Sequence, residues 1–216
     1  MATATHRANV RWYTPGTPVQ LPLEIVNPTG ESLPGAARIV QIARLGNRNP
    51  VKFTVETAGP LGDAIHAFLA ADQPGDATIR TAMATRLLDA EGVVGAIAPE
   101  TLLSAADAMR TWLDARYPGA TWHREWPIRA RLATTPPRLV VGEVDLYLDL
   151  PDGFVLVDHK SFPGSETERD RRLIDDYAPQ LRWYAKVLAT ALKKPLKAAF
   201  IHLPVRGEMA EVELGD

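Results

Sequence analysis

Two acidic residues and a lysine stand in adjacent apolar runs with a spacing that suggests hydrolytic chemistry. Asp145 lies in the first run, and Asp158 and Lys160 end the second, after a Pro-Asp-Gly turn at residues 151–153. Such a turn between β-rich runs is typical of a hairpin. Strand side chains alternate, so Asp158 and Lys160 share a face, and pairing can bring Asp145 beside them. Two carboxylates and an ammonium group so placed predict a site for Mg²⁺ and for cleavage of a phosphodiester bond.

A solvated cross-strand ion pair is the competing interpretation of the Asp158–Lys160 spacing, and it is common on sheets. The apolar run of residues 154–157 leads directly into Asp158. A continuous run of this kind indicates a strand buried on both faces, which places its terminal charges at the edge of a core. This favours a functional role for Asp158.

Composition limits the classes of protein that the chain can belong to. Its 216 residues, 46% of them hydrophobic, are enough for one substantial core with an extended arm. Absent cysteines exclude disulfides and thiolate metal sites, and no run is long and apolar enough for a membrane span or a signal peptide. We therefore expect a cytoplasmic protein without membrane contact. The net charge of −2 argues against a free-standing tight DNA binder but not against a nuclease.

The order of the predicted elements indicates a mixed α/β fold. Residues 1–58 are rich in Pro, Gly and Asn and predict an extended arm, whereas 59–216 form the domain. A charged connector at residues 164–175 has almost no apolar anchor, so we expect it to be mobile. The predicted helices span about 61–72, 77–91, 99–116 and 177–193, and the predicted strands 121–132, 139–150, 154–161, 197–205 and, as a last edge strand, 208–214. Helices therefore precede an antiparallel three-strand meander, a crossover helix and a further strand.

Three more polar side chains lie on predicted helices. His66 is surrounded by small and apolar residues, which is more often the setting of a hydrogen-bonded core histidine than of a ligand. Gln180 and Tyr184 stand four residues apart and share a helix face, as in any amphipathic helix. Each of these features is weak when it is taken alone.

Taken together and in this order, the motifs resemble those of the RecB-like nuclease domain of the PD-(D/E)xK superfamily, as at the C-terminus of AddA and other UvrD-type helicase–nucleases. The resemblance covers about residues 61–205, and residues 12–48 resemble the linker that joins the helicase motor to its nuclease. It predicts a restriction-endonuclease-like core and a C-terminal portion of a longer helicase. The motifs are Gly62-x-x-x-His66, Gly142-x-x-Asp145, Asp158-x-Lys160-Ser161 and Tyr177-x-x-Gln180-Leu181-x-x-Tyr184.

The resemblance implies a role for each matching residue. His66, Asp145 and Asp158 would bind the metal, with help from a backbone carbonyl near residue 159. Mg²⁺ suits the two carboxylates, and Mn²⁺ would tolerate the imidazole better. Lys160 would orient the attacking water or stabilise charge on the phosphorus. The catalytic set would be completed by Gln180 and Tyr184, which would position the substrate or Lys160.

Some positions depart from the family pattern or fall outside its catalytic set. Val144 replaces the namesake proline, which the RecB branch commonly lacks, and His159 replaces a frequent tyrosine and should face away from the metal. Glu125 matches a recurrent Glu-x-Pro element, to which we assign a structural role. Glu143 is a further acid near the site, more typical of a solvated edge carboxylate. Without cysteines, the iron–sulfur cluster of some relatives is ruled out.

The function implied is that of a metal-dependent DNA exonuclease, a phosphodiester hydrolase serving double-strand break repair and recombination in the bacterial cytoplasm. Its expected partners are DNA single strands or duplex ends, the N-terminal helicase domains of the same parent chain, and a second helicase–nuclease subunit. The alternative is a catalytically lapsed nuclease fold that binds DNA ends or a partner. An enzyme acting on small molecules is disfavoured because no phosphate loop, nucleophile elbow or dinucleotide fingerprint is present.

Overall fold

A single sheet with helices on both faces organises the molecule. The computed structural model describes residues 36–52, 54–132 and 138–215, together with the backbone of residues 24–26. The strands are β1 (Glu24–Val26), β2 (Arg38–Arg44), β3 (Thr121–Leu132), β4 (Arg138–Leu150), β5 (Gly153–His159), β6 (Leu196–Leu203) and β7 (Glu208–Glu213). The helices are α1 (Val55–Ala71), α2 (Ala77–Ala90), α3 (Pro99–Arg116), α4 (Glu166–Arg172) and α5 (Ala178–Leu192), with a π-helical turn (Leu173–Tyr177) between α4 and α5.

The sheet topology confirms the predicted fold class. Strands β3, β4 and β5 form an antiparallel meander, and β6 lies parallel to β5 after the helical crossover through α4 and α5. Strand β7 returns antiparallel to β6, and β1 runs parallel to the start of β4. The strand order is β1-β4-β5-β6-β7-β2, with β3 paired to β4. The hairpin and the crossover together bring the ends of β4 and β5 to one place.

Each face of the sheet has its own apolar layer. Helix α5 covers one face, where Trp183 and Leu181 are fully buried, and α1, α2 and α3 cover the other, where Phe68 and Leu113 are fully buried. Strand β5 lies between these layers and is buried at every position. This is the two-sided burial that its continuous apolar run predicts.

The boundaries of α1, α2 and α3 follow local signals in the sequence. Asp76 accepts hydrogen bonds from the first backbone N–H groups of α2, and Pro99 starts α3, where a missing N–H costs nothing. Buried Asp72, which ends α1, pairs with Arg80 of α2 and with Arg110 of α3. The three helices are thereby tied into one unit. None of the helices in the described part of the chain has the length and apolarity to cross a bilayer.

Strand β2 lies within the segment that the sequence predicts to be an extended arm. It pairs antiparallel with β7 along residues 38–44, so β7 is an interior strand and its prediction as an edge strand is wrong. Apolar and polar residues do not alternate regularly in β2, so the sequence gives no clear strand signal there. In the structure none of the side chains of β2 is buried. The division of the chain at residue 58 stays a prediction, although the sheet extends across it.

The charged connector at residues 164–175 is helical, and the expectation that it has almost no apolar anchor is wrong. Leu173 is fully buried, and Arg169 is buried against Glu208, with Nη1 and Oε2 3.0 Å apart. Arg206 shares the same carboxylate, at 2.7 Å, and its guanidinium also donates to the carbonyl of Gly164. Glu208 is 39 residues from Arg169, so no local pattern in the connector reveals this partner.

Candidate active site

Asp145 lies where β4 passes the end of β5. Its Oδ2 atom accepts a hydrogen bond of 2.7 Å from the backbone N–H of His159. The same oxygen lies 3.7 Å from Nδ1 of His66, which α1 contributes from the neighbouring layer. The structure therefore brings together two of the three predicted metal ligands.

Asp158 in β5 and Lys160, the first residue after β5, lie on the same side of the chain, as alternation predicts. Only 1% of Asp158 is exposed, and its Oδ2 lies 2.8 Å from Nζ of Lys160. The Lys160 ammonium is thus the partner of Oδ2, whereas Oδ1 is buried with no hydrogen-bond partner among the described residues. A buried carboxylate so poorly satisfied is costly, which is typical of a group that serves a bound cation or substrate.

Burial and neighbouring charges shift the pKa values of Asp158 and Lys160. Burial raises the pKa of Asp158 to about 6; the Lys160 ammonium opposes this rise, and the Asp145 carboxylate adds to it. For Lys160, burial lowers the pKa, but the attraction of Asp158 and Asp145 outweighs burial and leaves the pKa above its usual value. Lys160 therefore stays protonated and positively charged at neutral pH, whereas Asp158 exchanges its proton near pH 6.

Gln180 and Tyr184 extend from α5 to Lys160 as a hydrogen-bonded chain. Lys160 Nζ donates to Gln180 Oε1 at 3.2 Å, and Gln180 Nε2 donates to the Tyr184 hydroxyl at 2.8 Å. Burial raises the pKa of Tyr184 to about 12, so its hydroxyl stays protonated. One amide thus uses its acceptor and its donor in series, which orients the ammonium group.

His66 reaches the site because α1 approaches the end of β5 closely. A Cβ atom at Gly62 would lie 2.9 Å from Oγ of Ser161, so a larger residue there would push the helix away. The side chain of His66 is 32% exposed and faces the cavity and Asp145. It is not a fully buried core histidine.

Glu125 lies beside the site in an unusual backbone conformation. It sits in β3 between Arg124, paired with Leu146, and Trp126, paired with Val144, and its φ of 46° is left-handed. Burial raises its pKa to about 8, assisted by a hydrogen bond with Glu143 and by the charge of Asp145. Such strain is frequent near functional sites. The Glu-x-Pro element is the only sequence signal for this geometry.

A pair of buried histidines joins β5 to β6 next to the candidate site. His159 and His202 approach to 3.1 Å between their Nδ1 atoms, and burial lowers both pKa values well below the usual range. The carbonyl of His202 also accepts the backbone N–H of Lys160, at 2.9 Å. Sequence analysis missed His202 because it is one unremarkable residue in a β-type run.

The donor set suits a hard divalent cation better than a soft one. It consists of carboxylate oxygens with one imidazole, and the Oδ1 atom of Asp158, which has no hydrogen-bond partner, is a group that a cation would stabilise. Within the residues that the structure describes, however, no three His, Asp or Glu side chains converge closely enough to enclose an ion. The assignment of His66, Asp145 and Asp158 as ligands, and of Lys160 as their catalytic neighbour, therefore stays a prediction.

A cavity of about 520 Å³ opens beside these residues, between α1 and the segment that follows β5. Its walls include a metal-ligand candidate, the catalytic lysine candidate and side chains of α4 and the π turn, namely His66, Lys160, Phe162, Glu168, Arg172 and Tyr177. A volume of this size accommodates a nucleotide-sized group. The cavity gives a substrate direct access to Lys160.

Comparison with known proteins places this geometry in a family. The chain matches the family model of the PD-(D/E)XK nuclease superfamily over residues 34–214. It is also similar to three bacterial proteins whose names describe them as subunits of an ATP-dependent helicase/nuclease. In the protein from Desulforudis audaxviator the identity is 32% over 142 residues, which is 59% of this chain and 10% of that protein.

The other two relatives match shorter stretches. Identity is 35% over 77 residues in Desulforamulus reducens and 30% over 78 residues in Pediococcus pentosaceus, about a third of this chain and 6% of each relative. The chain thus spans a tenth or less of the length of these relatives. The superfamily match extends from the segment before β2 to the end of β7 and agrees with the motifs and the sheet topology. The chain belongs to the PD-(D/E)XK nuclease superfamily.

Proposed function

We propose that this chain is a divalent-metal-dependent DNA nuclease that hydrolyses phosphodiester bonds in the manner of an exonuclease. The observation that carries the proposal is the buried Asp158 carboxylate, which is paired with the Lys160 ammonium at one oxygen, has no partner at the other and lies near Asp145. Two carboxylates with a fixed cation are the groups needed to hold a metal ion and to stabilise charge on phosphorus. Membership of a nuclease superfamily supports the same activity.

The residues would divide the work according to their positions. Asp145, Asp158 and His66 would hold Mg²⁺ or Mn²⁺, which would polarise the phosphate and lower the pKa of a bound water. Lys160 would hold the attacking water or stabilise the negative charge that develops on the phosphate oxygens. Gln180 and Tyr184 would keep the Lys160 ammonium pointed at the reacting phosphate. The His159 N–H fixes the rotamer of Asp145.

The larger biological setting is proposed from the relatives. Proteins named as helicase/nuclease subunits contain a segment similar to this chain, so we place it in the C-terminal nuclease domain of a bacterial cytoplasmic helicase–nuclease that serves double-strand break repair and recombination. Its partners would be DNA, the helicase domains of the parent chain and a second helicase–nuclease protein. If a motor feeds DNA to the site, it raises the local substrate concentration, which compensates for a net charge of −2.

A catalytically lapsed module that binds DNA ends or a partner is the second candidate. Such a module would need no reacting group, yet the residues proposed for catalysis are in mutual contact: Lys160 contacts both Asp158 and Gln180. This geometry favours the enzyme.

A metal titration of cleavage tests the proposed function. The 216-residue chain would be incubated with end-labelled single-stranded and blunt duplex DNA in Mg²⁺, in Mn²⁺ and in excess EDTA. We expect progressive shortening from an end with either metal and none in EDTA. DNA that is bound but left intact in both metals would support the lapsed module.

A further inference from the structure

Besides Lys160, the lining of the cavity contains a second cationic side chain, that of Arg172, which the family motifs do not account for. Arg172, the last residue of α4, lines the cavity together with Lys160, Phe162 and Tyr177. Its guanidinium carbon lies 4.7 Å from the centre of the Phe162 ring. The ring is itself buried, so it supports the guanidinium from below rather than offering a face to a substrate.

The helical connector positions Arg172. The π turn directly after α4 contains one residue more per turn than an α-helix, and such turns are frequent at functional sites. Tyr177 ends the turn, accepts a hydrogen bond that raises the pKa of Arg172, and lies with its ring centre 5.5 Å from Lys160 Nζ. One tyrosine thus contacts both cations. The buried Arg169–Glu208 pair holds α4 in place behind them.

Arg172 still has donors to offer a ligand. Its Nε is buried and cannot serve a ligand, but 36% of the side chain is exposed, and Nη2 lies 3.5 Å from Oε1 of Glu168, a part-exposed neighbour one turn earlier. An exposed pair at this distance is weak, and a guanidinium has five N–H donors in a planar fork that matches phosphate. A phosphate group entering the cavity can therefore replace Glu168.

From this arrangement we infer that Arg172, supported by Phe162 and Tyr177, binds a phosphate of the DNA strand next to the one that is cut. The inference rests on the proposed nuclease function and adds a substrate-binding residue to it. A cavity of about 520 Å³ has room for one nucleotide unit, so a single phosphate at a time can meet Arg172 inside it. Arg172 fixes the position of the strand, and Lys160 acts at the reacting phosphate.

Binding measured without metal separates this inference from catalysis. The full chain would be titrated against a fluorescent single-stranded oligothymidylate in EDTA across a KCl series, and anisotropy would give the dissociation constant. We compare wild type with Arg172→Ala and Arg172→Gln, the second of which removes the charge but keeps a long polar side chain with good helix propensity at the end of α4. The matched control is Arg171→Ala, which removes an equal charge from an exposed neighbour paired with Asp175 and Asp176.

Loss of one phosphate contact predicts about ten-fold weaker binding at low salt and a salt slope smaller by about 0.7 for both Arg172 variants. Arg171→Ala should stay within about two-fold of wild type, because exposed surface pairs contribute little. The subsite would be overturned if the Arg172→Gln variant bound the oligonucleotide as tightly as wild type. It would also be overturned if Arg171→Ala weakened binding as much as the Arg172 variants do, or if wild type did not bind at all. If the Arg172 effect holds while wild type cuts no DNA, the subsite stands and the proposed nuclease function fails.

Discussion

At the scale of single residues, the site depends on one carboxylate held where water cannot reach it. Asp158 is buried, is poised near pH 6 and lies between a fixed cation and a second carboxylate. A carboxyl group with a raised pKa lowers the free energy of unfolding at neutral pH. Such costly groups are found mainly at functional sites. The predictions for this residue and its neighbours therefore concern both stability and activity.

Asp158→Asn should stabilise the metal-free protein at pH 7. The folded pKa of about 6 lies above the unfolded value of 3.8, so the unfolding free energy of the wild type falls as pH rises from 4 through 6. Removing the titratable group removes this loss, which amounts to about 2–3 kcal/mol at pH 7. Urea unfolding in EDTA at pH 4 and pH 7 measures it, with Asp152→Asn, an exposed turn carboxylate, as the control. A variant less stable than wild type at pH 7 would contradict the assignment.

Lys160→Ala should abolish most cleavage while leaving metal affinity nearly intact. The ammonium contacts the Asp158 carboxylate and the Gln180 amide, a position suited to stabilising charge in the transition state, which predicts a loss of about 10²–10³-fold in kcat. Isothermal titration with Mn²⁺ and a cleavage assay give the two quantities. Lys197→Ala, which removes an exposed lysine paired with Asp152, is the control. An equal loss of Mn²⁺ binding would show that Lys160 mainly balances the carboxylates.

His66→Ala distinguishes a ligand from a packing residue. The imidazole is part-exposed and lies 3.7 Å from Asp145, so its removal should raise the metal concentration needed for half-maximal cleavage about ten-fold. The melting temperature should stay within a few degrees, because little apolar surface is lost. A large drop in melting temperature with unchanged metal dependence would identify a packing role instead.

At the scale of elements, the helical connector between β5 and α5 depends on a buried charge cluster. Glu208 accepts hydrogen bonds from Arg169 and Arg206, and all three side chains are buried. Burial alone would raise the pKa of Glu208, but the two guanidinium groups outweigh it and leave the pKa below its usual value. The carboxylate is therefore the charge that holds α4 against the turn between β6 and β7.

Glu208→Gln should destabilise the protein by about 3–5 kcal/mol, because two buried guanidinium groups lose their counter-charge. Glu213→Gln, which breaks an exposed pair with Arg38, should cost less than about 1 kcal/mol. Chemical denaturation at pH 7 compares the two variants. Equal, small losses would show that α4 is held by its apolar contacts, chiefly through Leu173.

The elements with clear local signals were predictable from the sequence. Helix α3 follows its apolar periodicity and its starting proline, and β3 follows its β-rich run, both with the predicted bounds. Strand β2 was not, because its side chains are half exposed and its partner β7 is about 170 residues away in sequence. The anchoring of the connector is not predictable from its own sequence, because Arg169 pairs with Glu208, a partner that no local pattern shows.

The candidate site was predictable as a set of residues but not as a geometry. Alternation places Asp158 beside Lys160, and helix periodicity places Gln180 beside Tyr184, as the structure has them. The left-handed backbone of Glu125 and the buried contact of His202 depend on strands meeting in space. Helix periodicity within α4 gives no sign that Arg172 lines the cavity.

At the scale of the whole molecule, the fold brings one layer of helices to each side of the sheet edge that carries the candidate site. Helix α1 supplies His66 from one layer, and α5 supplies Gln180 and Tyr184 from the other. The hairpin of β4 and β5 supplies the carboxylates and the lysine between them. Neither helical layer contains the whole candidate site, so the site forms only when the sheet and both layers have folded together.

Cleavage by Asp158→Asn is the most direct test of the account. Labelled single-stranded DNA would be incubated with wild type and variant at matched concentrations in Mg²⁺ and in Mn²⁺, after unfolding curves show that both are folded. A bound metal contributes several kcal/mol to the transition state, so we predict that the variant is slower by about 10³-fold or more in either metal. Cleavage by the variant at the wild-type rate would contradict the claim that Asp158 holds the catalytic metal.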